Sequence, residues 1–120
     1  MHEQQGFIEE GRTALGIELG STRIKAVLVG PDNAVLASGA DQWENTLTDG
    51  LWTYSLQDVR RGLRRTYADL AEDVARRYDT RLVRIGSVGI SAMMHGYLVF
   101  DRNGRQLVPF RTWRNTSTGP

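Results

Sequence analysis

The chain has 120 residues, 40% of them hydrophobic and 24% charged, and a formal net charge of +1. A chain of this length can bury roughly 65% of its unfolded surface, so one core is feasible, and the small net charge points to no polyanionic partner such as nucleic acid. The absence of cysteine excludes a disulfide framework and cysteine-based metal sites or nucleophiles, and no stretch reaches the run of about 18 apolar residues that spans a membrane.

Met1–Thr13, MHEQQGFIEEGRT, is polar and weakly periodic. It reads as a disordered tail ahead of a domain over residues 14–120. It has no signal-peptide pattern, so the chain reads as soluble and cytoplasmic.

Leu15–Val29, LGIELGSTRIKAVLV, reads as two short strands joined by a tight polar turn. The turn holds Gly20, Ser21, Thr22 and Arg23, and Lys25 follows just behind. Glycine lets a backbone approach a ligand closely. Hydroxyls and turn N–H groups can bond phosphate oxygens, and a lysine supplies a point charge. Lys25 is the only lysine among fifteen basic residues. A phosphate cradle is one reading of this turn. An ordinary polar hairpin is the other, and Gly-Ser-Thr turns are common.

Gly30-Pro31-Asp32-Asn33 is a turn signal, and Ala34–Gly39 reads as a third, antiparallel strand. Residues 41–53 are mixed, with a short strand expected near Trp52–Tyr54. Trp43 and Trp52 could line a pocket, but more often such residues anchor a loop. Ser55–Tyr78 is the clearest helix. Ser55 caps it, with Asp58 completing a capping box. Leu56, Val59, Leu63, Tyr67, Leu70, Val74 and Tyr78 form one apolar stripe. Arg60, Arg61, Arg64 and Arg65 lie largely off it and read as a solvated face, diluted by Asp69, Glu72, Asp73 and Asp79.

Leu82–Ala92 reads as a buried strand reached by a helical crossover, parallel to an earlier strand. His95 follows its C-terminal end, where open α/β sheets bind ligands. A histidine there can bond a sugar hydroxyl or a phosphate, or it can bond backbone within a tight turn. Tyr97–Phe100 and Gln106–Val108 flank an Asp101–Gly104 hairpin turn signalled by Asn-Gly. The order is strand, strand, strand, helix, strand and small hairpin.

Two stretches carry a resemblance. GIELGSTRIKAVL resembles the first phosphate motif of the sugar kinase/hsp70/actin ATPase superfamily, with Glu18 in the position of an aspartate. SAMMHGYLVFDRNGRQLVPFRTWRN resembles the matching segment of FGGY carbohydrate kinases of the xylulokinase/ribulokinase type, where Ser91, Met94, His95 and Gly96 match a Ser-Gly-Gln-Met-His-Gly pattern. Residues 43–59 resemble the ketopentose kinases of that family, and the likeness extends over about residues 14–118.

The resemblance implies an α/β, ribonuclease H-like (actin-like ATPase) mixed sheet, an antiparallel meander followed by a helix crossover, present as a partial domain. It implies ATP and magnesium as cofactors and phosphoryl transfer to a ketose, a pentulose first, or a related polyol. Gly20, Ser21, Thr22 and Lys25 would border the ATP phosphates, and Glu18 would face magnesium through water. Met94, His95, Trp113, Arg114 and Asn115 would shape the sugar pocket. The general-base aspartate is expected beyond the end of this chain, as is the adenosine-binding half, so the chain alone is expected to be inactive and could form a homodimer to cover apolar surface. Two alternatives stand beside this reading: a non-catalytic sugar- or nucleotide-binding module, and an actin- or chaperone-like ATPase. Neither membrane nor nucleic acid is an expected partner.

Overall fold

The computed structural model describes residues 2–44, 46–93 and 98–110. A four-stranded sheet carries the fold, in the order β3-β2-β1-β6. Strands β1 (Ala14–Leu19), β2 (Arg23–Val29) and β3 (Val35–Gln42) form the antiparallel meander. The helix α2 (Leu56–Tyr78) then crosses over, and β6 (Ser87–Ala92) returns parallel to β1. A separate ribbon pairs β4 (Thr46–Thr48) with β5 (Leu51–Thr53). The mixed sheet is thus an antiparallel meander followed by a helix crossover to a parallel strand, as expected from the sequence.

Alternation along the strands sorts side chains to two faces. Leu15, Ile24, Ala26, Leu28 and Ala37 are buried on one face, and α2 supplies Leu70 and Val74 against it. Complete burial of a leucine or valine contributes about 1.5–3 kcal/mol each. The start of α2 is fixed as its sequence requires, because the Ser55 hydroxyl accepts from the Asp58 N–H at 3.0 Å. Its end is fixed by Asp79 in the left-handed region, at φ 52°, with its N–H bonded to the Ala75 carbonyl.

The stripe of α2 is rotated from the expected one. The buried positions are Gly62, Thr66, Leu70, Asp73 and Val74, while Tyr67 is exposed. Gly39 is the physical reason. A Cβ built there would lie 2.5 Å from the Leu70 nitrogen and from the Thr66 carbonyl oxygen, so the helix backbone rests directly on the strand. Gly62 makes the reciprocal approach, since its added Cβ would meet Ile24 Cδ1 at 2.5 Å.

The same helix closes the outer edge of β3. The Ser38 and Ala40 N–H groups donate to Asp73 and Asp69 carboxylate oxygens, each at 3.0 Å. An edge strand with its donors occupied is a poor template for another strand. Asp73 also accepts from Arg76 and Arg77. Burial raises the Asp73 pKa, but the Ser38 N–H and the two guanidiniums outweigh it and hold the carboxyl below its ordinary 3.8. A carboxyl lowered by folding stabilises fully above its unfolded pKa, and loses that contribution as pH falls through the folded one. The urea midpoint is therefore expected to fall as the pH drops below 3.8. Asp73→Asn should lower the neutral-pH midpoint and flatten this acid limb, and an unchanged limb would remove Asp73 from the account.

Two further expectations differ from the structure. Residues 2–10, read as a disordered tail, form helix α1 (His2–Glu10), and its Ile8 is 0% exposed within the core. Phe7 and Ile8 are adjacent rather than spaced into a stripe, so periodicity gave no sign of it. The expected buried strand over 82–92 begins only at Ser87, and all six of its residues are exposed. α2 lies over β2 and β3, and no element among the described residues covers β6. Val88 and Ile90 are left 56% and 68% exposed. The C-terminal hairpin is present as one bridge, Phe100 to Gln106, closed by an Asp101 turn in which the Asp101 carboxylate accepts from the Asn103 and Arg105 N–H groups.

Candidate functional site

The β1–β2 connection is a short loop over Gly20, Ser21 and Thr22, closed by the Gly20 N–H donating to the Arg23 carbonyl at 2.9 Å. Glycine is required at its first position. A Cβ on Gly20 would stand 2.9 Å from that same carbonyl oxygen. Ser21 and Thr22 are exposed.

The carbonyls of this loop are all engaged from a neighbouring layer. The Trp43 indole N–H donates to the Gly20 carbonyl at 2.7 Å, and the Tyr54 hydroxyl donates to the Ser21 carbonyl at 2.5 Å. The Trp43 backbone N–H takes the Thr22 carbonyl at 3.1 Å. Trp43 and Tyr54 stack with centroids 4.1 Å apart, and Phe110 meets Tyr54 edge-on at 5.4 Å. Trp43 is thus a loop anchor, as its bulk predicts. Tyr54, which no sequence signal singled out, is the buried half of the same device, at 2% exposure.

Behind the turn, register sets a row across the sheet. Ser91, Glu18, Lys25 and Ala40 are direct partners from β6 through β3. Neighbouring strands lie about 4.7–4.9 Å apart, so Glu18 sits between a hydroxyl and an ammonium-bearing stem. Neither Glu18 nor Lys25 forms an ion pair with another described residue. Gly16, Glu18, Lys25, Val27, Gly89 and Ser91 border one open cleft of about 550 Å³. Thr22 borders a second, of about 580 Å³, with Arg23, Gln42, Trp43 and Glu44. The structure therefore brings Gly20, Ser21 and Thr22 together in one turn, with Glu18 and Lys25 cross-strand partners two rows behind it, past the Leu19–Ile24 pair. Ser91 joins that pair through strand register, which only the assembled sheet reveals.

Such groups suit anion chemistry. Turn N–H groups and a nearby ammonium bind phosphate oxygens. Among the described residues no cluster of three metal-ligating side chains occurs. A single exposed carboxylate fits magnesium nonetheless, because that ion keeps several waters and commonly takes one or two carboxylates plus substrate phosphates. The remaining candidates, Met94, His95, Trp113, Arg114 and Asn115, lie outside the described residues.

Comparison with known proteins agrees with this architecture. Residues 13–120 match the FGGY family of carbohydrate kinases, N-terminal domain. No curated protein matches the sequence. Among solved structures, a xyloylose kinase from Brucella ovis superposes with a TM-score of 0.74 at 20% identity, covering 88% of this chain and 22% of that one. The xylulose kinase from Rhodospirillum rubrum gives 0.69 at 21%, covering 90% and 22%. Glycerol kinase from Plasmodium falciparum gives 0.67 at 19%, covering 88% and 21%. The chain thus spans about a fifth of the length of these kinases. With nearly all of its residues inside the family match and its meander, crossover helix and parallel return strand in the expected order, the chain belongs to the FGGY family of carbohydrate kinases.

Proposed function

We propose that this chain is the N-terminal portion of the first domain of an enzyme that transfers the γ-phosphoryl group of ATP to a hydroxyl of a ketose, a pentulose foremost, or of a related polyol. The observation that carries this is the Gly20–Thr22 turn, with Glu18 and Lys25 paired behind it, inside a chain matched to the N-terminal domain of carbohydrate kinases. The xylulose kinases among the structural neighbours support the pentulose.

Phosphoryl transfer depends on positioning and on neutralising charge more than on covalent help. The N–H groups and hydroxyls of Ser21 and Thr22 would hold phosphate oxygens, and Gly20 would keep the approach clear. Lys25 would offset their negative charge. Bound magnesium would shield charge between the phosphates, and Glu18 would accept hydrogen bonds from its waters. Met94, His95, Trp113, Arg114 and Asn115 would border the sugar. The aspartate that takes the proton from the attacking hydroxyl is assigned to the remainder of the enzyme. The absence of a membrane-crossing helix among the described residues is consistent with the cytoplasmic location we assign.

A coupled ADP-release assay over ketopentoses, ketohexoses and polyols tests the proposal. The full-length gene product should turn over at least one ketose. Residues 1–120 alone should stay near background, because general-base help supplies about 10²–10⁴-fold. Holding the reactants in line contributes about 7–11 kcal/mol in favourable cases. Sugar binding without ADP release by the full-length protein would favour the non-catalytic module. Turnover by the fragment would place the base among its own residues.

A further inference from the structure

We propose that Trp43 and Tyr54 are positioning residues for phosphate recognition. Their side chains clamp the peptide planes of the Gly20–Thr22 turn so that its N–H groups are presented to an anion. The proposal rests on the phosphate-binding reading of that turn.

A trans peptide is planar, with its C=O and the following N–H pointing in opposite directions, and no cis peptide bond occurs among the described residues. The Gly20 carbonyl is fixed by the Trp43 indole and the Ser21 carbonyl by the Tyr54 hydroxyl. The two rings are stacked, so both carbonyls are drawn toward one aromatic layer. The N–H groups of Ser21 and Thr22 then point away from it. Neither has a hydrogen-bond partner among the described residues outside regular structure, and both residues are exposed. Two successive N–H groups presented together form an anion-binding concavity.

A free loop of this kind would lose the arrangement by peptide rotation. Ser21 and Thr22 are exposed, and two of the three carbonyl bonds that hold their peptide planes come from the aromatic side chains. The layer itself is well held. Tyr54 is 2% exposed and braced by Phe110, and the Trp43 backbone N–H ties the end of β3 to the Thr22 carbonyl. Orientation set before the ligand arrives lowers the ordering cost of binding. Neither side chain carries a charge, so the device acts through the direction of its two hydrogen bonds rather than through net charge.

Trp43→Phe keeps an aromatic ring for the stack and deletes the indole N–H. Tyr54→Phe keeps the ring and deletes the hydroxyl. The chain labelled with ¹⁵N is titrated with magnesium and inorganic tripolyphosphate, and the amides of Ser21 and Thr22 are followed. Wild type should show saturable shifts at both amides. Each variant should weaken binding about 2- to 12-fold, the range of one net hydrogen bond. In the free protein each should also move the Ser21 and Thr22 amides while leaving those of Leu28 and Leu70, in the core, in place. Lost dispersion at Leu28 and Leu70 would mark a folding defect in that variant, and the other variant then decides. Unchanged affinity and unchanged turn amides in a folded variant would overturn the clamp while leaving the phosphate reading intact. Absence of any shift at Ser21 and Thr22 in wild type would overturn that reading, and the clamp with it.

Discussion

Gly39→Val is expected to abolish cooperative folding of this chain. A Cβ at position 39 would lie 2.5 Å from the Leu70 nitrogen and from the Thr66 carbonyl oxygen, and 2.9 Å from the Leu70 Cα. These are backbone atoms of a helix, so no rotamer change relieves the overlap. The helix must lift from β3. Lifting it uncovers Leu70 and Val74, both 0% exposed and each worth about 1.5–3 kcal/mol when buried. It also withdraws Asp69 and Asp73 from the Ala40 and Ser38 N–H groups. The sum is comparable with the whole stability of a small domain, about 5–15 kcal/mol. Urea unfolding followed by far-ultraviolet circular dichroism should lose its transition. Gly89→Ala serves as the contrast, because nothing lies within 4 Å of its added Cβ, and a change within about 0.5 kcal/mol is expected there. A Gly39→Val protein that unfolds like wild type would mean that α2 does not rest on β3 in this way.

Lys25→Ala should cut productive ATP use by the full-length enzyme about 10- to 150-fold, the worth of one charge-assisted hydrogen bond at about 1.5–3 kcal/mol. Lys25 is the chain's only lysine, it is exposed, and it stands directly across from Glu18. The loss should appear in kcat/KM for ATP with the KM for sugar little changed, since the sugar-side residues are assigned to another stretch. Folding should be unaffected, because Lys25 makes no ion pair with a described residue. Unchanged ATP kinetics would take Lys25 out of the site.

These two positions also show what the sequence discloses and what it hides. The Gly20–Thr22 turn, with Lys25 just behind it, was legible as a connection between two paired strands, because a hairpin keeps consecutive residues together. Helix α2 was legible from its cap at Ser55 and its spacing of apolar residues. Its true buried face was not, because Gly62, Thr66 and Asp73 pack through closeness and hydrogen bonding rather than through apolar area. Gly39 gives no signal until the helix is laid against it. The aromatic layer under the turn was half legible. Trp43 announced an anchor by its size, but its target lies 23 residues away and that of Tyr54 lies 33 away. Only the folded sheet joins them. Helix α1 was missed because a single residue, Ile8, plugs the core where a pattern search needs several. Strand β6 was overextended because an apolar run records what a strand can bury, whereas exposure depends on which elements are present to cover it.

The most direct test of the central claim is a crystal structure of the enzyme carrying this chain, grown with magnesium and a non-hydrolysable ATP analogue. Phosphate oxygens should lie about 2.7–3.2 Å from the Ser21 and Thr22 backbone nitrogens, with the Lys25 ammonium beside them and Glu18 facing the metal's waters. Phosphates seated elsewhere, for instance in the cleft bordered by Thr13, Gly30 and Ser87, with the Gly20–Thr22 turn untouched, would contradict it.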